Sequence, residues 1–282
     1  MHIAFQGEAG AYSEAAVYEH YRDTPVETVP CETFELVFDG VRSGTCDQGF
    51  IPIENTLAGS IHQNYDLLLR HDLHVVGEHF LRVSHCLIAR PGAQLADIRC
   101  VISHPQALAQ CDGYLRSLKG VTAEPVYDTA GSVKMVRERG DPALAAIASR
   151  RAAEIYGMQV LAENIEDNPL NFTRFLIISG QAVEPQGESK TSIVFSLKNR
   201  PGSLFRALGA FALRDIDLTK MESRPLVGSP WEYLFYIDFS GSTGDAVVQR
   251  ALAHLGEYTL MLRVLGSYPR HRLEADPVHP DK

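Results

Sequence analysis

Short apolar runs alternate with amphipathic stretches over the first 180 residues. Ile3-Ala4-Phe5 reads as a strand, followed by the glycine-bearing loop Gly7-Glu8-Ala9-Gly10. Ser13 suits a helix cap for a segment with Ala16, Val17 and Tyr21 on one side. Further strands are predicted at 26–29, 49–53, 75–89, 100–102, 123–127, 145–148 and 175–178. Helical periodicity falls between them, at 33–41, 61–70, 105–119, 129–137 and 150–156. Strands alternating with helices predict an α/β fold with largely parallel sheets. The run 75–89 is too long for a single strand among such neighbours. It suggests a crossover between two sheets, with ligands held where strand ends face each other.

The pattern changes near residue 180. Residues 181–190 are polar and contain Pro and Gly, as a linker would. Ile193, Phe195 and Leu197 then alternate along a strand, and Leu204, Ala207, Leu208, Phe211 and Ala212 form a helical stripe. Strands at 218–222 and 233–239, a stripe through Val247, Val248, Ala251, Leu252 and Leu255, and a strand at 260–265 complete βαββαβ, the ferredoxin-like order. That unit leaves one sheet face open, so pairing with a second copy is expected. The tail 271–282 carries two prolines and little apolar content, which predicts disorder.

Composition narrows the function. A net charge of -9 argues against a nucleic-acid surface and against general steering of anions, so any anion site must be locally basic. Five scattered Cys without a CxxC pair fit reduced thiols in a cytoplasmic protein. No apolar run approaches a membrane span, and the first residues open as a strand rather than a leader. No HExxH, thiolate pair or GxSxG elbow occurs, so neither a metal nor a hydrolase triad is indicated.

The pentapeptide Asn171-Phe172-Thr173-Arg174-Phe175 sets a hydroxyl beside a guanidinium where a loop becomes a strand. Arg offers a planar fork for a carboxylate and Thr a small proton donor. The same residues also fit a plain strand start with a surface Arg. Glu54-Asn55-Thr56 and Ser103-His104-Pro105-Gln106 each follow a strand, where α/β proteins place ligands, although helix capping explains part of each. The loop 6–13 lacks both GxGxxG and the P-loop Lys, so its nucleotide reading is weak. Farther on, the Gly202-Ser203 turn suits a carboxylate, while Asp217 and Glu222 suit an ammonium, together describing an amino-acid sensor or merely a capped helix.

Together these segments resemble prephenate dehydratase in its single-activity form with a C-terminal ACT domain. The resemblance rests on residues 3–7 and 10–13, Pro52-Ile53-Glu54-Asn55-Thr56, His85-Cys86-Leu87 and Ser103-His104-Pro105-Gln106-Ala107-Leu108. It continues through Asn171-Phe172-Thr173-Arg174-Phe175, Pro201-Gly202-Ser203-Leu204 and Leu218-Thr219-Lys220-Met221-Glu222-Ser223-Arg224-Pro225. It implies a two-lobed catalytic domain over 1–180, similar to type II periplasmic binding proteins. Lobe one would hold 1–75 and 160–180, lobe two 76–159, and an ACT domain would occupy 191–270. The implied reaction is prephenate to phenylpyruvate, carbon dioxide and water, with no cofactor, no metal and no chorismate mutase activity. Thr173 is implied as proton donor and Arg174 as the carboxylate fork, with Glu54 and Asn55 as catalytic partners. Thr56, Ser84, Ser103, Gln106 and Phe175 are implied around the substrate.

L-phenylalanine is the implied effector, bound by Gly202, Ser203, Leu204, Asp217, Leu218, Glu222, Ser223 and Arg224 in a homodimer or dimer of dimers formed through the ACT domains. Two residues depart from the family pattern: Ser203 stands where relatives commonly have Ala, and Asp217 where they often have Asn. Arogenate dehydratase is the alternative activity, and a non-catalytic amino-acid-binding protein a more distant one.

Overall fold

A computed structural model of the chain describes residues 1–226 and 232–272. They separate into two compact units, residues 1–64 with 79–175, and residues 65–78 with the chain from 176 onward. The tail from residue 273 lies outside the described residues, and so does the expectation of disorder there.

The first unit holds two sheets. One is built on β1 (His2–Gln6), β2 (Glu27–Cys31), β3 (Gln48–Asn55) and the short β4 (Gly59–Ser60), with helices α1 (Tyr12–His20), α2 (Phe34–Arg42) and the start of α3 (His62–Arg70). Strands β1, β2 and β3 pair in parallel. The sheet order is completed by β5 (His74–Arg82) and β11 (Phe172–Ser179), as β2-β1-β3-β11-β5. Strand β3 is buried along nearly its whole length, as expected of a strand covered on both faces.

The second sheet comprises β6 (Cys86–Ala89), β7 (Cys100–Ser103), β8 (Thr122–Pro125), β9 (Leu144–Ala148) and β10 (Gln159–Glu163), in the order β10-β6-β9-β7-β8. Central β9 reads Leu-Ala-Ala-Ile-Ala and is buried throughout. Its Ala146 and Ala148 meet Ala130, Val133, Val136 and Ala152 on one face; Ala145 and Ile147 meet Val101, Ala107 and Cys111 on the other. Small residues at β9 let α6 (Thr129–Arg139) and α7 (Arg150–Tyr156) approach the sheet closely. Asp128 caps α6 through the Gly131 N–H at 2.7 Å, and Ser149 caps α7 through the Ala152 N–H at 3.0 Å.

Two expectations are revised here. The 75–89 run is two strands, β5 in one sheet and β6 in the other, so the predicted crossover is residues 83–85. The single helix predicted over 105–119 is two, α4 (Pro105–Gln110) and α5 (Asp112–Ser117). The break has a cause: the Asp167 carboxylate accepts the Gly113 N–H at 3.1 Å and so caps α5 separately.

The second unit is an antiparallel sheet in the order β13-β14-β12-β15, from β12 (Ser189–Leu197), β13 (Leu218–Pro225), β14 (Tyr233–Ser240) and β15 (Thr259–Pro269). Helices α8 (Ser203–Ala212) and α9 (Ala246–Gly256) cover one face, packing Ala207, Phe211, Val248 and Leu255 on Ile193, Phe195, Ile237 and Phe239. The βαββαβ expectation holds. Strand β12 begins at Ser189, four residues before Ile193 and inside the stretch read as a linker; there Lys190 is buried against Glu78, with Nζ 2.9 Å from Oε1. The sheet is also less open than expected, since the chain's own residues 65–78 belong to this unit. Arg224 pairs with Asp66 at 2.7 Å, the Tyr236 hydroxyl donates to the Tyr65 carbonyl at 2.9 Å, and Arg263 donates to the Leu69 and His71 carbonyls. Gly266 lies so close to the Val75 backbone that an added Cβ would sit 2.0 Å from the Val75 carbonyl oxygen. Among the described residues, no helix is long and apolar enough to cross a membrane.

Candidate active site

A cavity of about 180 Å³ opens between the two sheets of the first unit. Asn55, the last residue of β3, and Thr173, the second of β11, meet at its floor. Strand alternation turns Thr173 and Phe175 into the cavity and sends Arg174 to the other face. There Arg174 is buried, with its guanidinium carbon 5.9 Å from the centre of the Phe80 ring.

Asn55 organises the floor. Its Oδ1 accepts the N–H groups of Leu57 at 3.0 Å and Ala58 at 2.9 Å. Its Nδ2 faces three acceptors: Asn171 Oδ1 at 2.8 Å, the Phe172 carbonyl at 3.1 Å and Thr173 Oγ1 at 3.1 Å. Thr173 Oγ1 therefore accepts a hydrogen bond from Asn55, which leaves its own hydroxyl hydrogen available to an occupant of the cavity. From Asn171 the network continues through Gln110 to His85, with Asn171 Nδ2 3.1 Å and His85 Nε2 2.8 Å from Gln110 Oε1. His85 Nδ1 lies 2.7 Å from the Tyr12 hydroxyl, which also reaches the Ser84 carbonyl at 2.8 Å.

Burial pushes the Tyr12 phenol well up, with nearby Cys86 and Cys111 adding to the effect. Burial lowers the His85 pKa, opposed by the Gln110 hydrogen bond and the Glu166 carboxylate. Both side chains are therefore uncharged at neutral pH. Among the described residues lining the cavity there is no carboxylate and no Lys or Arg. The positive end of α1 faces the cavity instead, through Tyr12 and Ser13, and that of α6 through Thr129. Helix α1 has no side-chain cap at Ala11, so its first N–H groups remain unclaimed by such a cap.

Of the residues singled out in the sequence, Ser13, Asn55, His104, Gln106, Thr173 and Phe175 come together around the cavity. The others lie off its lining. Thr56 Oγ1 donates to the Leu170 carbonyl and accepts the Phe172 N–H, tying two strand ends together. Ser84 Oγ donates to Asn164 Oδ1, and fully buried Ser103 donates to the Ile147 carbonyl at 2.6 Å. His104, not Ser103, caps α4, through the Gln106 N–H at 3.2 Å. Glu54 is half-buried beside Asn55 and absent from the lining. Tyr12, His85, Gln110 and Asn171 were not among the sequence candidates. The only sequence signal was the presence of Tyr12, His85 and Asn171 within the resembling segments.

In the second unit, Ser203 and Leu204 line a cavity of about 100 Å³ with Lys198, Arg200, Tyr233 and Phe235. Gly202 takes φ 79 at the start of α8, a left-handed turn that favours glycine. Asp217, Leu218, Glu222, Ser223 and Arg224 do not line that cavity. Asp217 is exposed, Arg224 is engaged with Asp66, and Glu222 lies 3.9 Å from Lys220.

Comparisons with known proteins agree with this layout. The prephenate dehydratase family profile matches residues 3–183, and the ACT domain profile matches residues 191–257. A chloroplastic arogenate dehydratase/prephenate dehydratase 2 of Arabidopsis thaliana is 50% identical over 280 residues, covering 95% of this chain and 73% of that protein. An arogenate dehydratase 2 of Petunia hybrida is 48% identical, covering 95% of this chain and 72% of its own. Among solved structures, GqqA, described as a novel type of quorum quenching acylase, superposes with a TM-score of 0.89 at 38% identity, covering 96% of this chain and 98% of its own. Prephenate dehydratase of Arthrobacter aurescens in complex with L-Phe superposes with a TM-score of 0.87 at 33% identity, covering 99% of this chain and 94% of its own.

Proposed function

We infer that this chain, which belongs to the prephenate dehydratase family, converts prephenate to phenylpyruvate, carbon dioxide and water. The observation that carries the reading is the Thr173 hydroxyl on the cavity lining, with Asn55 Nδ2 3.1 Å from its oxygen. Prephenate bears a ring carboxylate and a hydroxyl para to it. The bond from ring to carboxylate breaks, its electron pair moves through the ring, and the carbon–hydroxyl bond opposite breaks. The departing oxygen takes the Thr173 proton and leaves as water, and solvent returns a proton to Thr173. Aromatisation supplies the driving force, so positioning and one proton donor suffice. General acid assistance contributes about 10²–10⁴-fold, with orientation and fixed dipoles adding to it. Arg174 supports β11 from the face away from the cavity in this reading, rather than gripping a carboxylate.

The positive ends of α1 and α6 at the lining suit the two carboxylates that prephenate and arogenate share. Arogenate carries an ammonium where prephenate has a keto group, and no lining carboxylate among the described residues would balance it. The plant relatives named for arogenate favour the second reading, arogenate as substrate. Parallel assays of phenylpyruvate from prephenate and phenylalanine from arogenate separate the two; a clear preference for arogenate overturns the first. For the ACT unit we propose L-phenylalanine as effector. The reading is supported by the cavity at Ser203 and by the L-Phe complex of the Arthrobacter aurescens protein. Two copies joined through their ACT units complete the proposal, testable by sedimentation with and without phenylalanine.

A further inference from the structure

The polar chain beneath the cavity has one consistent assignment of donors and acceptors. Backbone N–H groups can only donate, so Leu57 and Ala58 fix which end of the Asn55 amide is oxygen. Its nitrogen must then face Asn171 Oδ1, and the Phe172 carbonyl, which can only accept, agrees. Asn171 consequently turns its nitrogen to Gln110, whose Oε1 accepts from it. That same oxygen lies 2.8 Å from His85 Nε2, so Nε2 carries a hydrogen. Neutral His85 is then the Nε2–H tautomer, and its bare Nδ1 shares the single hydrogen of the Tyr12 hydroxyl with the Ser84 carbonyl. Six side chains from five stretches of sequence are thus joined, with donation converging on Gln110 Oε1 from His85 and Asn171 and diverging from Asn55 Nδ2 to Asn171 and Thr173.

We propose that His85 and Asn171 are positioning residues for the Thr173 hydroxyl, acting through Gln110 and Asn55. This deepens the dehydration reading and rests on it. Backbone amides hold one end of the chain and the His85 tautomer holds the other. In the opposite tautomer, Gln110 would have to present its nitrogen to His85 and therefore to the Asn171 nitrogen. If Asn171 turned to avoid this, its nitrogen would face the nitrogen of Asn55, which cannot turn. The conflict would fall on the contact that orients Thr173. Gln110 is half-buried at the cavity wall, but Asn171 is fully buried, so a mismatch passed on to its contact with Asn55 lies away from solvent. Side-chain amides do not pass protons readily, so the chain fixes direction rather than conducting a proton.

Nitrogen-15 shifts of the His85 imidazole in the folded, unliganded protein at neutral pH test the geometry without reference to activity. A hydrogen on Nε2 and a bare Nδ1 are expected; the reverse tautomer overturns the proposal. Steady-state kinetics of His85→Leu, His85→Gln and Asn171→Leu test its consequence. His85→Leu and Asn171→Leu should lower kcat about 10- to 100-fold while KM changes less than about twofold. His85→Gln keeps an N–H near the place of Nε2 and should recover most of kcat. A folded His85→Leu with unchanged kcat overturns the proposal, as does His85→Gln as impaired as His85→Leu. A wild-type protein that turns over neither prephenate nor arogenate would overturn the dehydration reading instead, and the nitrogen shifts would still report on the chain.

Discussion

Replacing Asn55 with aspartate removes the donor that serves three acceptors and keeps the acceptor beside it. The two side chains have nearly the same shape, and aspartate keeps an oxygen for the Leu57 and Ala58 N–H groups at 3.0 and 2.9 Å. What it loses is the Nδ2 donor that reaches Thr173 at 3.1 Å, and with it the bonds to Asn171 Oδ1 at 2.8 Å and the Phe172 carbonyl at 3.1 Å. A carboxylate there accepts, so Thr173 would give its proton to that carboxylate and present only lone pairs to the leaving hydroxyl. The loss should approach the full value of the acid, about 10²–10⁴-fold in kcat, or about 2.7–5.4 kcal/mol at about 1.36 per decade. A new negative charge could also slow the enzyme by repelling a dianion, and a double variant separates the two effects. In a Thr173→Val background, Asn55→Asp should cost little further in kcat if it acts through the hydroxyl, because residues acting as a unit are non-additive. The assay is phenylpyruvate absorbance at saturating prephenate, with circular dichroism to confirm the fold. Asn55→Asp with kcat within about threefold of wild type would refute the reasoning, and so would a full additional loss in the Thr173→Val background.

Three further outcomes are expected. Lys190→Met removes the ammonium facing the Glu78 carboxylate, which is only 1% exposed and also accepts the His271 N–H, and should cost about 3–5 kcal/mol in urea unfolding; Lys190→Met with Glu78→Leu should regain most of that. Gly266→Ala forces a Cβ to 2.0 Å from the Val75 carbonyl oxygen, so a loss of about 3 kcal/mol, the upper range for overpacking, should appear in the same unfolding assay. His85 has a folded pKa below its ordinary 6.5, so the unfolded chain binds the extra proton first. The stability this implies is fully present above about 6.5 and declines as pH falls toward the folded value; His85→Gln should flatten that part of the pH–stability curve, and an unchanged slope would contradict the assignment.

The alternation of strands and helices was legible because β-strands such as β9 are continuous apolar runs and the ACT strands alternate strictly. The crossover near residue 83 was legible from length alone. Thr173 and Asn55 could be found because both stand where an apolar strand begins or ends. The orientation of Arg174 follows from period-two alternation, yet it was read as a strand-mouth residue free to share a face with Thr173. The supporting side chains were not legible. Tyr12 and His85 are 73 residues apart, and Asn55 and Asn171 are 116 apart. No local pattern signals that an amide and an imidazole will meet. Asp66 and Glu78 were equally silent, since each resembles an ordinary surface charge until Arg224 and Lys190 arrive from far along the chain.

Residues 65–78 give the C-terminal module a footing inside the sequence of its neighbour. A chimera spliced between residues 183 and 191, where the two family matches leave a gap, would look tidy on a map. It would nevertheless import a foreign sheet lacking Lys190, Arg224 and Gly266, and so orphan Glu78, Asp66 and the Val75 backbone. The regulatory module is thus not an interchangeable cassette: a transplant that keeps its grip must carry this fourteen-residue insert along with it, or redesign both sides of the seam together.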